Sequence, residues 1–183
     1  MTDREFDIHM KRINAGDKSA LREIYEEYLS YVYSIAFSVL LKKEDAEDIA
    51  ADIFIKLWNN SSSYKPGGGH KGYIAAMTRN LCVDLIRKRK REDVRDTRQS
   101  EDESPACEIT EEFVPGFEDS SAERLDLANA LKILSQQERE IINLKLYHQY
   151  TFKEISKILK EPMGTVTWRY REAINKLRRY GYE

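Results

Sequence analysis

Two Ser/Thr-x-x-Glu signatures stand sixteen residues apart near the end of this chain, Ser135 with Glu138 and Thr151 with Glu154. In each, the hydroxyl and the carboxylate can satisfy backbone N–H groups that the first turn of a helix leaves without partners, so each fixes a helix start. Ile141, Ile142, Leu144 and Leu146 follow the first. Ile155, Ile158 and Leu159 follow the second, with Tyr150 at hydrophobic-staple spacing from Ile155. Pro162 marks a third start, because the first helical turn has no use for the N–H that proline lacks. Val166, Tyr170, Ala173, Ile174 and Leu177 then recur at helical spacing and face a core. Leu134 to Arg179 is thereby confined to three helices joined by two short turns.

Two short helices and a turn ahead of a third helix form the helix-turn-helix arrangement. The side of the third helix away from its apolar stripe carries Thr165, Thr167, Trp168, Arg169, Arg171, Glu172, Asn175, Lys176 and Arg178. Arginine donates bidentately to guanine edges, Asn, Thr and Glu read other edges, and rim cations neutralise phosphates, so this face suits a major groove. A solvated basic helix is the plainer alternative.

The N-terminal 95 residues hold three more helical tracts. After Asp17, a suitable N-cap, Leu21, Ile24, Tyr25, Tyr28, Leu29, Val32, Ile35, Ala36, Val39 and Leu40 form one continuous apolar stripe, that of a bundle helix. Glu44 to Asn59 carries Ile49, Ile53, Phe54, Leu57 and Trp58, with the carboxylates of Asp45, Asp48 and Asp52 on a neighbouring face. Acids at that spacing could ligate a metal, but no second acid or His cluster completes a site, which favours a basic protein partner. Ser61 to Gly69 is a loop rich in Ser and Gly. It does not have the spacing of a phosphate-cradling loop, and Gly72 follows Lys71 where such a loop needs Ser or Thr. The third tract, about His70 to Arg91, sets Tyr73, Met77, Leu81 and Leu85 on one stripe and Lys71, Arg79, Asn80, Arg87, Lys88 and Arg89 elsewhere. Aromatic rings beside cations suit unpaired DNA, whose bases stack while the backbone meets the charges. Core packing is the equal alternative for Tyr73.

A net charge of -2 would argue against nucleic-acid binding if it were spread evenly. It is segregated. Residues 87–91 are all Arg or Lys, residues 99–123 hold nine acids and no base, and from Arg124 onward twelve positive residues face seven negative ones. Local charge, not the chain average, sets the field at a binding face. The acidic stretch from Asp96 to Ser120, with Pro105, Pro115 and Gly116, has the composition of a flexible linker.

With 34% charged residues, eight Gly and four Pro in 183 residues, the composition predicts an all-α protein of one or two domains. The reading is two small helical domains joined by the acidic linker: a helical bundle over residues 1–95, the linker over 96–120 and the helix-turn-helix domain over 121–183. There is no apolar run of about 18 residues and no secretory leader, so neither membrane insertion nor export is expected, and the chain reads as cytoplasmic. Cys82 and Cys107 lack zinc-site spacing and are expected to stay reduced, Cys82 as core filler. His9, His70 and His148 are far apart, and no Cys or Ser stands in a nucleophile motif, so no cofactor, small-molecule substrate or catalysis is expected.

Three stretches in order, Ala46 to Trp58, Thr78 to Arg89, and Leu134-Ser135 with Thr151 to Ile155 and Met163 to Val166, resemble bacterial RNA polymerase sigma factors of the sigma-70 family, extracytoplasmic-function group. The resemblance covers about Leu21 to Arg91 and Leu125 to Arg179, and implies a sigma2-like bundle and a sigma4-like helix-turn-helix domain. It implies a transcription initiation factor that binds core RNA polymerase, through the clamp coiled coil and the flap region, and directs it to promoter DNA. Asp45, Asp48, Ile49, Asp52, Phe54, Ile55 and Trp58 fall in the helix that such proteins press on the clamp. The loop 61–69 with Lys71, Tyr73, Arg79 and Asn80 falls where the family captures a flipped base of the −10 element, with Arg87, Lys88 and Arg89 on the backbone. Thr165, Thr167, Trp168, Arg169, Arg171, Glu172, Asn175 and Lys176 fall where it reads the −35 element. An anti-sigma factor is implied as a partner. The chain departs from the pattern at Ala51, where Gln is usual, at His70 and Tyr73, where Phe and Trp are frequent, and at Trp168, where a small residue is common. Two other classes fit the bare pattern: a one-component helix-turn-helix regulator acting without core polymerase, and a helical interaction protein with basic faces.

Overall fold

The computed structural model describes residues 1–96 and 132–181, with side chains described to residue 92 and from residue 132. Most of the acidic linker, together with Cys107, lies outside the described residues. Seven α-helices are present among them: α1 (Asp3–Asn14), α2 (Lys18–Leu40), α3 (Lys43–Asn59), α4 (His70–Asp96), α5 (Gln136–Ile142), α6 (Phe152–Leu159) and α7 (Met163–Arg179). The all-α expectation holds.

Local chemistry sets most of the boundaries. Asp17 caps α2 by accepting from the backbone N–H of Ser19 at 2.8 Å. Both C-terminal capping boxes form as the spacing requires, at Ser135/Glu138 for α5 and Thr151/Glu154 for α6. Helix α5 passes into a single π-helical turn, Asn143–Tyr147, instead of continuing regularly. That wider turn buries Leu144 and leaves Leu146 exposed, although both stood in the expected apolar run.

One helix escaped the sequence reading. Thr2 and Glu5 form a third capping box, and the α1 that it starts buries Phe6, Met10 and Ile13. Helices α1 to α4 close one core around Phe6, Ile24, Val32, Ile53, Leu57, Ile74 and Cys82. Helix α4 runs to Asp96, one residue past the expected end of the first domain.

The second core is shared. Ile141, Leu144, Tyr150, Ile155, Ile158, Leu159 and Val166 of the C-terminal domain enclose Ile35 of α2 and Ala75 of α4. The two domains therefore pack directly on one another, which a reading of two tethered modules did not anticipate.

Candidate polymerase and nucleic-acid interfaces

On α3 the expected polymerase-facing residues divide by helical phase. Asp48, Asp52 and Ile55 are exposed and Trp58 is half-buried. Ile49 and Phe54 belong to the core, where Tyr25 of α2 packs on the Phe54 ring at 4.8 Å. Asp45 is not a free carboxylate, which corrects that part of the expectation. It is 6% exposed, and the Arg89 guanidinium grips both its oxygens, one at 2.7 Å. That hydrogen-bonded cation holds the Asp45 carboxyl below its usual range. Arg89 is correspondingly engaged within the bundle, while Arg87 and Lys88 remain on the surface.

The start of α4 opens beside a cavity of about 870 Å³ lined by Tyr64, Gly69, Lys71 and Tyr73, with Tyr150 and Lys157 of the C-terminal domain across from them. The Tyr64 and Tyr73 rings meet edge-to-face at 5.4 Å, so Tyr73 is half core and half wall. Lys71 and Asn80 are exposed. Arg79 is not: its Nε donates to Glu140 of α5 at 2.7 Å, and Glu140 is only 3% exposed. A cation expected on DNA is here the partner of a buried acid.

The same contact between domains carries other polar groups. Tyr31 and Tyr150 share a hydroxyl–hydroxyl bond of 2.6 Å, and Ser34 Oγ meets His148 Nε2 at 2.8 Å. Arg139 Nε donates to the Ser38 carbonyl at 3.2 Å. Burial and the nearby Lys71 charge push the His148 imidazole down to about 4. Sequence reasoning missed Glu140, His148 and Tyr31 as a joint surface. Its one trace was Glu140 itself, a carboxylate four residues ahead of Leu144 on the stripe that should be apolar.

On α7, buried Val166 and Ala173 fix which side faces inward. Trp168 (60% exposed), Arg171 and Asn175 project outward, with Thr165 and Glu172 beside them half-buried. Three expected members are otherwise engaged. Thr167 bonds back to the Gly164 carbonyl at 2.9 Å, Arg169 pairs with Glu161, and Lys176 reaches buried Glu138 at 2.7 Å. Lys176 thus braces the α5 capping box. No groups that could hold a metal ion occur among the described residues, and none of their helices is long and apolar enough to cross a membrane.

A helical bundle with a basic final helix, packed on a helix-turn-helix with an outward-facing third helix, is the build of a DNA-binding transcription protein. The model of Sigma-70 region 2 matches residues 24–92, and that of Sigma-70, region 4 matches residues 130–179. The ECF RNA polymerase sigma factor SigW of Bacillus subtilis (strain 168) is 29% identical over 176 residues, covering 91% of this chain and 93% of that protein. SigK of Mycobacterium tuberculosis (strain ATCC 25618 / H37Rv) is 25% identical, covering 95% and 92%. Among solved structures, the sigma factor RpoE of Bartonella quintana, in complex with the anti-sigma factor NepR, superposes with a TM-score of 0.70 at 26% identity, covering 86% of this chain and 94% of that one. CnrH, in complex with the cytosolic domain of CnrY, shares the fold with a TM-score of 0.67 at 17% identity. The chain belongs to the sigma-70 family of bacterial RNA polymerase sigma factors, in the extracytoplasmic-function group. Core RNA polymerase and promoter DNA are accordingly its partners.

Proposed function

We propose that this sigma factor reads the −35 element with the exposed face of α7 and the −10 element with the loop 61–69 and the start of α4. The carrying observation is the phase of α7, which buries Val166 and Ala173 and turns Trp168, Arg171 and Asn175 outward behind α6. Arg171 suits a guanine edge, Glu172 and Asn175 suit other edges, and the Trp168 ring suits a thymine methyl. On the bundle, Lys71, Asn80, Arg87 and Lys88 supply the polar and cationic groups for opened DNA, with the Tyr64–Tyr73 wall for stacking. Asp48, Asp52, Ile55 and Trp58 form the surface offered to the clamp coiled coil, and the C-terminal domain faces the flap region.

Glu140 holds Arg79 across the contact between the domains, and in this reading the two domains separate when both promoter elements are engaged, which frees Arg79. Three weak contacts in one chain then gain effective concentration from one another. A related sigma factor is held by an anti-sigma partner, and we assign the same kind of control to this chain. The test is reconstitution with core polymerase and mapping of start sites across a genome. Arg171→Ala and Glu172→Ala are expected to cost about tenfold or more at single upstream base pairs, without loss of core binding. Sequence-specific DNA binding that is equally tight without core polymerase would instead identify a one-component regulator.

A further inference from the structure

The loop assigned above to base capture is anchored from outside the region 2 match. Helix α1 lies ahead of residue 24, where that match begins, yet it grips the loop at both flanks. The Tyr64 hydroxyl donates to Asp7 at 2.7 Å. At the other flank, Asp3 accepts the backbone N–H of His70 at 3.0 Å and also binds the ring Nδ1, so it caps α4 from another helix. His70 is 4% exposed, and its Nε2 meets the Tyr28 hydroxyl. Phe6 stacks on the His70 ring at 4.9 Å and meets the Tyr64 ring edge-to-face at 5.6 Å. Between the two anchors the backbone takes positive φ at Gly67 (82°) and Gly69 (80°).

A Gly-rich segment has many conformers to lose, at about 1–2 kcal/mol per residue fixed, and two-sided anchoring removes most of that freedom before any ligand arrives. Binding by a loop that is only partly in its competent form weakens in proportion to the competent fraction. The Asp3 and Asp7 carboxylates keep their charge and would repel a DNA strand that touched them, and both are turned to the loop's own flanks. Their placement suits support and not contact.

We propose that α1 is the positioning element of the base-reading loop, with Asp7 acting through Tyr64 and Asp3 acting through His70 to set base selectivity on opened promoter DNA. The proposal rests on the base-capture reading of residues 61–69. The test presents the holoenzyme, core polymerase with the full chain, with single-stranded DNA oligonucleotides randomised at six consecutive positions. The wild type is expected to enrich one base at one position. Asp7→Ala and Tyr64→Phe are expected to reduce that enrichment about tenfold, the scale of a hydrogen bond to a charged acceptor. Overall retention by Asp7→Ala falls less than about threefold, because backbone contacts remain. Asp7→Asn, whose amide oxygen still accepts the Tyr64 hydroxyl, is expected to keep wild-type selectivity. Unchanged enrichment in both Asp7→Ala and Tyr64→Phe overturns the proposal. An equal loss of all oligonucleotide retention in Asp7→Ala and Asp7→Asn also overturns it, since that marks a folding defect. A wild-type holoenzyme that enriches no base removes the base-capture reading itself, which separates the two failures.

Discussion

Asp45 illustrates how one contact can change what a residue is for. Its position beside Asp48 and Asp52 groups it with a partner-facing acidic surface, yet Arg89, forty-four residues onward, folds back to neutralise it inside the bundle. Removing Arg89 leaves buried Asp45 with only exposed Lys42 at 3.9 Å, so Arg89→Ala is expected to cost about 2 kcal/mol in urea unfolding at pH 7, less than for a fully buried pair because Arg89 is itself half exposed. The Asp45 carboxyl is held low in the folded state, so its contribution is present above the ordinary Asp value and is lost as pH falls through the lowered one. The gap between wild type and variant is therefore expected to shrink on acidification toward pH 3. Asp48 carries no such partner and keeps its place on the surface.

At the scale of elements, the capping boxes show what a four-residue pattern can and cannot announce. The Thr151 box is exposed and self-contained, so Thr151→Ala is expected to cost about 1 kcal/mol in denaturant unfolding. The Ser135 box contains Glu138, which is buried and also takes Lys176 from α7. Ser135→Ala is expected to cost about 2 kcal/mol, because losing the cap disturbs an interhelical ion pair as well. Both helix starts were legible because the cap and its N–H groups lie within four residues of each other. The Thr2/Glu5 box was equally legible, and α1 went unread because its apolar residues, Phe6, Met10 and Ile13, form only a short stripe in a charged sequence. The link from Glu138 to Lys176 was not legible, since helical phase alone placed Lys176 among the outward residues.

At the scale of the molecule, the contact between domains has the chemistry of a closure that can open. It combines an apolar centre with several polar bonds, and the Asn143 side-chain oxygen is buried there without a hydrogen-bond partner. Such a group costs about 1–3 kcal/mol, a weakness suited to a surface that must part. Arg79→Ala leaves buried Glu140 without its cation, with only the Gln136 amide still donating to it at 2.9 Å, and is expected to raise the radius of gyration measured by X-ray scattering. His148 faces Ser34 and Tyr31 of α2, Lys71 of α4 and the neighbouring Tyr147 ring. Closure holds its imidazole neutral down to about 4, whereas opening restores a value near 6.5. The protonated ring favours opening, so closure is complete above the ordinary value and weakens progressively as pH falls toward 4. Scattering at pH 7 and pH 5 is expected to show expansion in the wild type and little change in His148→Phe.

The sequence by itself determined six of the seven helices, the Asp17 cap and the two C-terminal capping boxes, the order of the two domains and the family, because each is encoded in spacings of three or four residues or in contiguous motifs. Only the tertiary structure decided that α1 anchors the loop at Tyr64 and His70, that Asp45 and Arg79 are paired internally, and that the helix-turn-helix shares a core with Ile35 and Ala75. Those contacts join residues 40 or more positions apart, and two of them reward a charge for finding its opposite in a place no local periodicity marks.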